Sequence, residues 1–341
     1  MKEAMFYRKL EDKKVQCYLC ERNCVIPDGK VGFCKVRKNQ NGKLYSLVYE
    51  KLQSLQIDPV EKKPFFHFHP GSQVLSLSTV GCNFRCKFCC NPNISQTEKI
   101  VGKKVLPKEV VRIAAENNCQ GIAYTYTEPT VFFEYAYDIA KLAKKEGLYN
   151  VFVTNGYAGE EAIDKISKYL DAAVVDVKGS LDQKFLRDYC SVPDGKPILE
   201  AMKRYFDNGV HVEITDLIIP KIGDDLKKVE ELARWIKDNL SENVPIQFIG
   251  FFPSYQCLNL PYTAVETLKK CRNIAKKAGL KYVYAYTSQD PGNPMNNTYC
   301  PKCGELLIAR YGCSMVDNKI KDQKCFSCKE KISIVEYSHR C

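Results

Sequence analysis

Three cysteines that follow one short apolar stretch constrain this chain more than any other feature of its sequence. Cys82, Cys86 and Cys89 form a C-x3-C-x2-C triplet directly after a predicted strand at 74–79. Three thiolates can bind three corners of a [4Fe-4S] cluster, which leaves one iron open to a further ligand. The triplet therefore predicts a reactive cluster at the end of a strand. The alternatives are a chance triplet or a zinc site that lacks its fourth ligand, since the adjacent Cys90 is expected to be only a small packed thiol.

From the triplet onward, short apolar segments alternate with amphipathic ones, which is the pattern of a parallel sheet wrapped by helices. The predicted strands are 74–79, 121–126, 150–154, 172–177, 211–218, 246–250 and 281–286. The predicted helices between them are 108–117, 130–145, 160–169, 198–208, 226–240 and 262–278. This alternation predicts an α/β fold, a partial (β/α)6-type TIM barrel, whose chemistry gathers at the carboxyl ends of the strands.

Two further groups of four cysteines flank the predicted barrel. The N-terminal group consists of Cys17, Cys20, Cys24 and Cys34. Its spacing leaves two candidates for the bound metal, structural zinc and a second iron-sulfur cluster. The C-terminal group has the C-x2-C…C-x2-C spacing of a zinc ribbon, with rubredoxin-like iron as the rival, and its members are Cys300, Cys303, Cys325 and Cys328. We therefore predict an N-terminal segment at 1–70, a barrel at 71–290 and a zinc-ribbon domain at 291–341.

The charge and the cysteine usage exclude several classes of function. The formal net charge is +11, but the lysines are dispersed along the predicted helices, so a nucleic-acid partner is not expected. The first residues are charged and lack the apolar core of a signal peptide, and no apolar run reaches the length of a membrane span. Clustered cysteines in a chain of this length indicate metal binding in a reducing compartment. We therefore predict a cytoplasmic protein with no membrane partner.

The triplet and the acid after the second strand resemble the radical S-adenosylmethionine (radical SAM) family. In that family the open iron binds the amino and carboxylate groups of S-adenosylmethionine, and an aromatic residue placed like Phe88 packs near the adenine. Glu128 matches the acid of the family's Gly-Gly-Glu motif, in which Tyr126 and Thr127 replace the glycines here. The resemblance implies that Glu128 helps to bind the amino group of the cofactor. The alternative is a plain helix start with an acid near the positive end of the helix dipole.

The next two strand ends resemble those of glycyl-radical-enzyme activases such as the pyruvate formate-lyase activating enzyme. The resemblance implies that Thr154 and Asn155 lie at the cofactor and that Asp176 and Lys178 hold its methionine carboxylate. Activases carry an aspartate where this chain has Val153, so no cation site is carried over to that position. Without the resemblance, an aspartate at a strand end would be read as the cap of the next helix.

The fifth and sixth predicted strands carry the remaining motifs. The turn at 218–225 resembles the family's adenine-contacting turn and implies a backbone contact from Ile219, although Lys221 replaces the usual glycine. Two polar residues on the fifth strand are expected either to face the ribose or to fill the barrel interior, and these are Glu213 and Thr215. Phe252 stands where related chains have a histidine, which removes one group that could transfer a proton.

The order of the parts narrows the resemblance. The N-terminal cysteines, the segments 58–64 and 66–71, the triplet and the ribbon follow each other as in the AmmeMemoRadiSam-system radical SAM enzymes, nearly from end to end. Members of that family are associated with two companion proteins, one of them Memo-like. The resemblance implies nothing about what they modify.

The resemblance implies a radical oxidoreductase. An external donor reduces the cluster, S-adenosylmethionine is cleaved to methionine and a 5′-deoxyadenosyl radical, and the radical takes hydrogen from a substrate. The basic surface suits an acidic donor such as ferredoxin or flavodoxin. The substrate stays open between the glycine of a partner enzyme and a small molecule, a lipid precursor or another protein side chain. A non-catalytic nucleic-acid or protein adaptor that uses the ribbon is the second class.

Overall fold

The fold is α/β, as the sequence predicts, with parallel strands wrapped by helices. A computed structural model of the chain describes residues 1–336, and within that range closure of the strands into a barrel is not detected. None of the helices described is both long and apolar enough to cross a membrane. The predicted division at residues 70 and 290 stays a prediction.

The strands are numbered in chain order. Those before the triplet are β1 Lys2–Glu3, β2 Tyr7–Lys9, β3 Val15–Cys17, β4 Val25–Ile26, β5 Arg37–Gln40, β6 Lys43–Ser46, β7 Lys51–Leu52, β8 Ser54–Pro59 and β9 Gln73–Ser78. Those after it are β10 Lys103–Lys104, β11 Gly121–Tyr124, β12 Tyr149–Thr154, β13 Ala172–Lys178, β14 His211–Ile218, β15 Ile246–Gly250, β16 Val283–Tyr286, β17 Thr298–Tyr299, β18 Leu306–Tyr311 and β19 Ser314–Asn318.

The helices match the predicted ones closely. They are α1 Pro92–Ser95, α2 Pro107–Glu116, α3 Phe133–Lys145, α4 Glu160–Ser167, α5 Gln183–Cys190, α6 Lys196–Asp207, α7 Leu226–Asn239 and α8 Val265–Lys277, with short 3-10 turns at Val60–Lys62, Pro129–Phe132, Gly179–Leu181 and Pro294–Asn296. The helices Pro92–Ser95 and Gln183–Cys190 were not predicted from the sequence. The predicted start of α3 at residue 130 is also too early, because Pro129 starts a separate 3-10 turn.

The chain divides into two compact units, and the first contains residues 1–58, 73–173 and 189–211. In this unit β11 lies between β9 and β12 and pairs in parallel with both, with Ile122 opposite Leu75 and Asn150. Nearly every residue of these strands is buried, as expected for a parallel sheet covered on both faces. The N-terminal residues form three small antiparallel pairings instead, in the orders β1-β6-β5, β2-β3-β4 and β10-β7.

The second unit contains residues 59–72, 174–188 and 212 onward. Here β14, β15 and β16 pair in parallel, with Ile214 opposite Ile246 and Ile246 opposite Val283. The C-terminal strands form an antiparallel sheet in the order β17-β18-β19. A compact apolar core packs that sheet against β16, and its large members are Phe66, Tyr282, Tyr284, Leu307, Ile308, Ile320, Ile332 and Ile334.

A buried ion pair fixes the N-terminal strands to α3 within the first unit. Two nitrogens of the Arg37 guanidinium donate to the two carboxylate oxygens of Glu134, at 2.8 and 3.0 Å. The backbone N–H of Met5 donates to the same carboxylate and its C=O accepts from Arg37, so Met5 closes the arrangement. The two charged side chains are 2% and 0% exposed. Loss of either charge would leave the other buried and unpaired.

We expect Glu134→Gln to lower the free energy of unfolding by about 3–5 kcal/mol, because it leaves the Arg37 charge buried without a counter-ion. Chemical denaturation monitored by circular dichroism measures the effect. The matched control is Arg112→Gln, which removes the exposed pair with Glu116 in α2 and should cost less than about 1 kcal/mol. Equal shifts for the two variants would contradict the role given to the buried pair.

Candidate active site

The cysteine triplet lies on a loop that a glycine allows to approach its neighbours. Gly81 precedes Cys82 and has a φ of +99°, which is a left-handed value that favours glycine. A Cβ at this position would lie 2.5 Å from Cγ1 of Val36 and 3.0 Å from the carbonyl oxygen of Cys34. The loop that carries the triplet therefore packs directly on the N-terminal loop that leads into β5.

Hydrogen-bond donors approach two of the triplet sulfurs. The backbone N–H of Phe84 lies 3.4 Å from Sγ of Cys82, and the N–H of Asn91 lies 3.4 Å from Sγ of Cys89. The Ser95 hydroxyl lies 3.2 Å from the Cys89 sulfur. Such bonds stabilise sulfur that carries negative charge and tune the potential of an iron-sulfur cluster. These three cysteines with their donors fit a [4Fe-4S] cluster with one open iron.

Burial controls the state of the thiols when no metal is bound. Burial, and then the nearby Glu128 carboxylate, raise the pKa of the Cys82 thiol well above its ordinary value. Cys86 is also buried, and Phe88 beside it is 4% exposed. A metal that binds these sulfurs must therefore displace protons from thiols, which makes loading of the site depend on pH.

The Glu128 carboxylate links two strand ends of the first unit. It follows β11, is buried, and accepts from the N–H and the hydroxyl of Thr130 at 3.0 and 2.6 Å. From the end of β12 it accepts from the Thr154 hydroxyl and from the backbone N–H of Asn155, each at 2.8 Å. Burial raises the pKa of this carboxyl, while the four hydrogen bonds lower it. The Glu128 carboxylate thus holds the loops after β11 and β12 in place, and it lies near Cys82.

Asn155 extends this network to the triplet. Its side-chain amide donates to Oδ1 of Asn83 at 2.7 Å and lies 4.0 Å from Sγ of Cys82. Asn155 was predicted from the sequence, whereas Asn83, the residue after the first cysteine, was not. Only the folded chain shows that Asn83 is buried and that its amide therefore needs hydrogen-bond partners.

Tyr126 occupies a backbone position that usually requires glycine. Its φ is +62°, so it is left-handed where the family motif has glycine. The Tyr126 hydroxyl donates to Asp58 at 2.6 Å, and its carbonyl accepts from the Asn91 side chain at 3.0 Å. The turn that presents Glu128 is thus kept although its glycine is absent.

In the second unit Asp176 joins two of the predicted cofactor contacts. Lys178 Nζ lies 3.1 Å from one carboxylate oxygen of Asp176, and the Thr215 hydroxyl donates to the other. The side chains of Lys178 and Asp176 are 16% and 34% exposed, so both remain accessible. The structure therefore brings Asp176, Lys178 and Thr215 together.

Glu213 lies elsewhere in the second unit. Its carboxylate is fully buried and accepts from the backbone N–H groups of Phe66, His67 and Phe68, at 2.9, 2.8 and 3.1 Å. This side chain holds the segment 66–68 on β14. A contact of Glu213 with a ribose stays a prediction and would have to compete with these three bonds.

The predicted adenine-contacting turn closes on itself. Ile219 and Gly223 exchange two backbone hydrogen bonds, at 2.8 and 3.2 Å. Lys221 lies between them with a φ of +70°, so it adopts the left-handed conformation of the glycine that it replaces. A Cβ on Gly223 would lie 3.0 Å from the ring of Phe185, so this glycine is needed for close packing.

The prediction for Cys90 is wrong, and the two residues that depart from the family pattern, Phe252 and Val153, can be placed in the fold. Cys90 is exposed, so its prediction as a packed thiol was wrong, because the triplet loop turns its next residue outward at this point. Phe252 is 45% exposed after β15, and Val153 lies within β12. The loss of a proton-transfer group at Phe252 and the lack of a cation site at Val153 stay predictions.

The C-terminal cysteines converge. Within residues 1–336 they are the one group of three or more Cys, His, Asp or Glu residues whose ligand atoms all lie within 4.8 Å of one another, and the group is Cys300, Cys303, Cys325 and Cys328. Two sulfur–sulfur distances are 3.5 and 3.7 Å. Tetrahedral zinc with Zn–S bonds of about 2.3 Å needs edges of about 3.8 Å. These four cysteines therefore fit zinc.

The two halves of this C-terminal site have the same backbone. In the first half the N–H of Gly304 donates to the carbonyl of Cys300 at 3.0 Å. In the second half the N–H of Lys329 donates to the carbonyl of Cys325, also at 3.0 Å. Gly304 and Lys329 are both left-handed, with φ of 75° and 63°. The repetition supports the predicted pair of knuckles.

Comparison with known proteins supports the same interpretation of the triplet. Residues 76–236 match the Radical SAM superfamily. The chain is 43% identical over 339 residues to an uncharacterized protein of Methanocaldococcus jannaschii, and the match covers 98% of this chain and 100% of that protein. It is 29% identical to the pyruvate formate-lyase-activating enzyme of Clostridium pasteurianum, over 53% of this chain and 78% of that enzyme.

A solved structure has a similar fold. A radical SAM methyltransferase from Sphaerobacter thermophilus matches with a TM-score of 0.50 and 17% identity. The match covers 70% of this chain and 71% of that one. At this level of identity the likeness shows the fold alone.

Asp216 is a buried carboxyl that was not singled out from the sequence, and it makes the stability of the fold depend on pH. It accepts from the N–H and hydroxyl of Ser180 at 2.9 and 2.6 Å, and burial raises its pKa from 3.8 to about 6. Between about pH 4 and pH 6 the folded chain therefore holds a proton that the unfolded chain has lost. The free energy of unfolding should fall as the pH rises through that window, by about 3 kcal/mol.

We expect Asp216→Asn to remove this part of the pH dependence. Denaturation midpoints of the variant should change less than those of the wild type between pH 4 and pH 6. Asp238→Asn, at an exposed position near the end of α7, should keep the wild-type slope. A slope that is unchanged in Asp216→Asn would refute the assignment.

Proposed function

We propose that this chain, which belongs to the radical SAM superfamily, acts as an activase that takes a hydrogen atom from a glycine of a partner enzyme. Its family makes it an enzyme that generates a radical from S-adenosylmethionine. The observation that carries the chemistry is the triplet of thiols, with Cys86 buried, Cys82 and Cys89 half-buried, and hydrogen-bond donors directed at Cys82 and Cys89. Bound there, a [4Fe-4S] cluster would supply the electron that cleaves the cofactor to methionine and a 5′-deoxyadenosyl radical.

The residues of the first unit would hold and orient the cluster. Cys82, Cys86 and Cys89 supply three thiolates, and the N–H groups of Phe84 and Asn91 lower the cost of their negative charge. The Glu128 carboxylate fixes the end of β12 through Thr154 and Asn155. We infer that Glu128 acts chiefly as a positioning residue, because its oxygens already accept four hydrogen bonds.

The residues of the second unit would hold the nucleotide and the methionine part of the cofactor. We propose that Lys178 pairs with the methionine carboxylate, since its ammonium is accessible and Asp176 fixes it at 3.1 Å. Thr215 orients Asp176 from the other side. The turn at Ile219 is proposed at the adenine. Tight positioning of this kind directs a reactive radical to one hydrogen atom.

The choice of a glycine substrate rests on relatives. Besides the pyruvate formate-lyase-activating enzyme, a putative glycyl-radical enzyme activating enzyme of Methanocaldococcus jannaschii is 27% identical over 60% of this chain and 78% of that protein. An electron donor is required, and we propose an acidic one such as ferredoxin or flavodoxin, since the chain is basic. We place the enzyme in the cytoplasm, where thiols stay reduced, and assign structural zinc to the C-terminal ribbon.

The radical chemistry is tested by anaerobic reconstitution with iron and sulfide, followed by dithionite and S-adenosylmethionine. The wild type should form 5′-deoxyadenosine, whereas Cys86→Ala should form no more than a mixture without enzyme. Cys90→Ala is the matched control, since Cys90 lies next to the triplet but is exposed, and it should keep the activity. If the wild type forms no 5′-deoxyadenosine in this assay, the proposal fails.

The glycine substrate is tested by isotope transfer. Protein from source cells grown with α-deuterated glycine is separated from small molecules and incubated with the reconstituted enzyme. Deuterium should appear in 5′-deoxyadenosine, and a glycyl radical should appear in the electron paramagnetic resonance spectrum, with neither in Cys86→Ala. Transfer from the small-molecule fraction of cells labelled throughout, with none from the protein fraction, would instead favour a small substrate.

A further inference from the structure

The four N-terminal cysteines come together in the first unit, outside the site described above. They line one small cavity whose other walls are largely apolar, and these cysteines are Cys17, Cys20, Cys24 and Cys34. Cys17 and Cys34 are buried, and Cys20 and Cys24 are half-buried. The apolar walls come from Leu19, Ile26, Phe33 and Val131. Four thiols around a shared apolar cavity are a set of ligands for a metal centre.

Two arginines line the same cavity with unused donors. Within the described residues, Nε of Arg37 and Nη2 of Arg22 are buried and have no hydrogen-bond partner. Arg37 is 2% exposed, so water cannot satisfy its Nε–H. A metal centre with four thiolates carries net negative charge, and its sulfurs accept hydrogen bonds. Such a centre would satisfy both unpaired donors.

The spacing of the sulfurs distinguishes between a single ion and a cluster. The C-terminal sulfurs lie within 4.8 Å of one another, as zinc requires, whereas the N-terminal four form no such group within residues 1–336. The triplet of Cys82, Cys86 and Cys89 forms none either. A [2Fe-2S] cluster divides four thiolates between two irons and a [4Fe-4S] cluster binds each at a separate iron, so in both the ligands are spread more widely than around one ion.

We propose that Cys17, Cys20, Cys24 and Cys34 bind a second iron-sulfur cluster that braces the loop of the first. Four thiols lose their protons to solvent as they bind iron, and Arg22 and Arg37 donate to the resulting thiolates. This assignment concerns residues that the radical chemistry does not use, and it stands independently of the substrate.

The bracing follows from contacts between the N-terminal cysteine loop and the triplet loop. The Arg22 Nε–H donates to the carbonyl of Asn83 at 2.8 Å, and its guanidinium lies 4.0 Å from the ring centre of Phe33. The guanidinium of Arg85, which lies within the triplet, is 4.5 Å from the same ring centre and donates to the Phe33 carbonyl. Two arginines and one phenylalanine thus join the two loops.

A second set of contacts reaches the loop after β12. Cys20 pairs with Ala158 in an isolated antiparallel bridge, and the N–H of Gly159 donates to the Leu19 carbonyl at 2.9 Å. That loop begins at Asn155, whose side chain bonds Asn83. A cluster that orders the N-terminal cysteines would therefore also hold the triplet loop and the loop after β12, which meet at Cys82.

The direct test counts metal in the full chain with Cys82, Cys86 and Cys89 all changed to alanine, so the first cluster is absent. After anaerobic reconstitution this chain should hold about two to four iron atoms and equal acid-labile sulfide, with about one zinc. Adding Cys20→Ser and Cys24→Ser should remove the iron and leave the zinc. Adding Cys119→Ser, at a buried cysteine outside the group, should change neither. Two zinc ions and no iron in the parent chain would overturn the assignment.

The contact between the N-terminal cysteine loop and the triplet loop can be tested by the rate of iron loss, without measuring S-adenosylmethionine cleavage. In a chain with the triplet intact, Arg22→Gln keeps all four N-terminal ligands but removes the bond to Asn83. We expect a chelator to extract iron from the triplet at least about ten-fold faster in this variant than in the wild type, as when a second-shell partner is removed. Equal rates of iron loss in Arg22→Gln and wild type would refute the bracing.

Discussion

One buried carboxylate organises the part of the active site that lies in the first unit. Glu128 accepts four hydrogen bonds from two loops, and none of its partners can be replaced by water because the group is 2% exposed. The end of β12 is thereby fixed, and with it the amide of Asn155 beside Asn83 and Cys82. A network of this kind is stable only when every member is satisfied. The position of the cluster loop thus depends on an acid that follows β11, the strand paired with the β9 strand that leads into the triplet.

Most of the fold could be read from the sequence because apolar runs and amphipathic periods are local signals. The strands His211–Ile218 and Ile246–Gly250 have their predicted bounds, and the strand ends are where the motif residues were expected. The three cysteine groups were also visible, because ligand spacing is written in the sequence. The helix Gln183–Cys190 was missed, although Gly179 favours the left-handed turn before it and Asp182 caps its first turn by accepting from the N–H of Phe185.

The side-chain partners were less predictable, since they depend on residues far away in the chain. Glu213 was expected at a ribose or in the interior, but its three donors come from residues 66–68. Asp216 appeared to be an ordinary strand residue, although its burial raises its pKa to about 6 against the lowering effect of its bonds to Ser180. Arg22 and Arg37 carried no signal at all, because only the folded chain shows that their unused donors lie against the N-terminal cysteines.

Tyr126 and Lys221 retain the backbone conformation of the glycines that they replace. Both stand where the related motifs have glycine, and both keep the positive φ that glycine would adopt. A left-handed conformation costs a residue with a side chain about 1–2 kcal/mol, and for Tyr126 the hydroxyl bond to Asp58 offsets part of that cost. In this chain the path of the main chain is therefore kept, although the glycines are not. Searches that demand glycine at these places will overlook relatives that build the same pocket from bulkier residues.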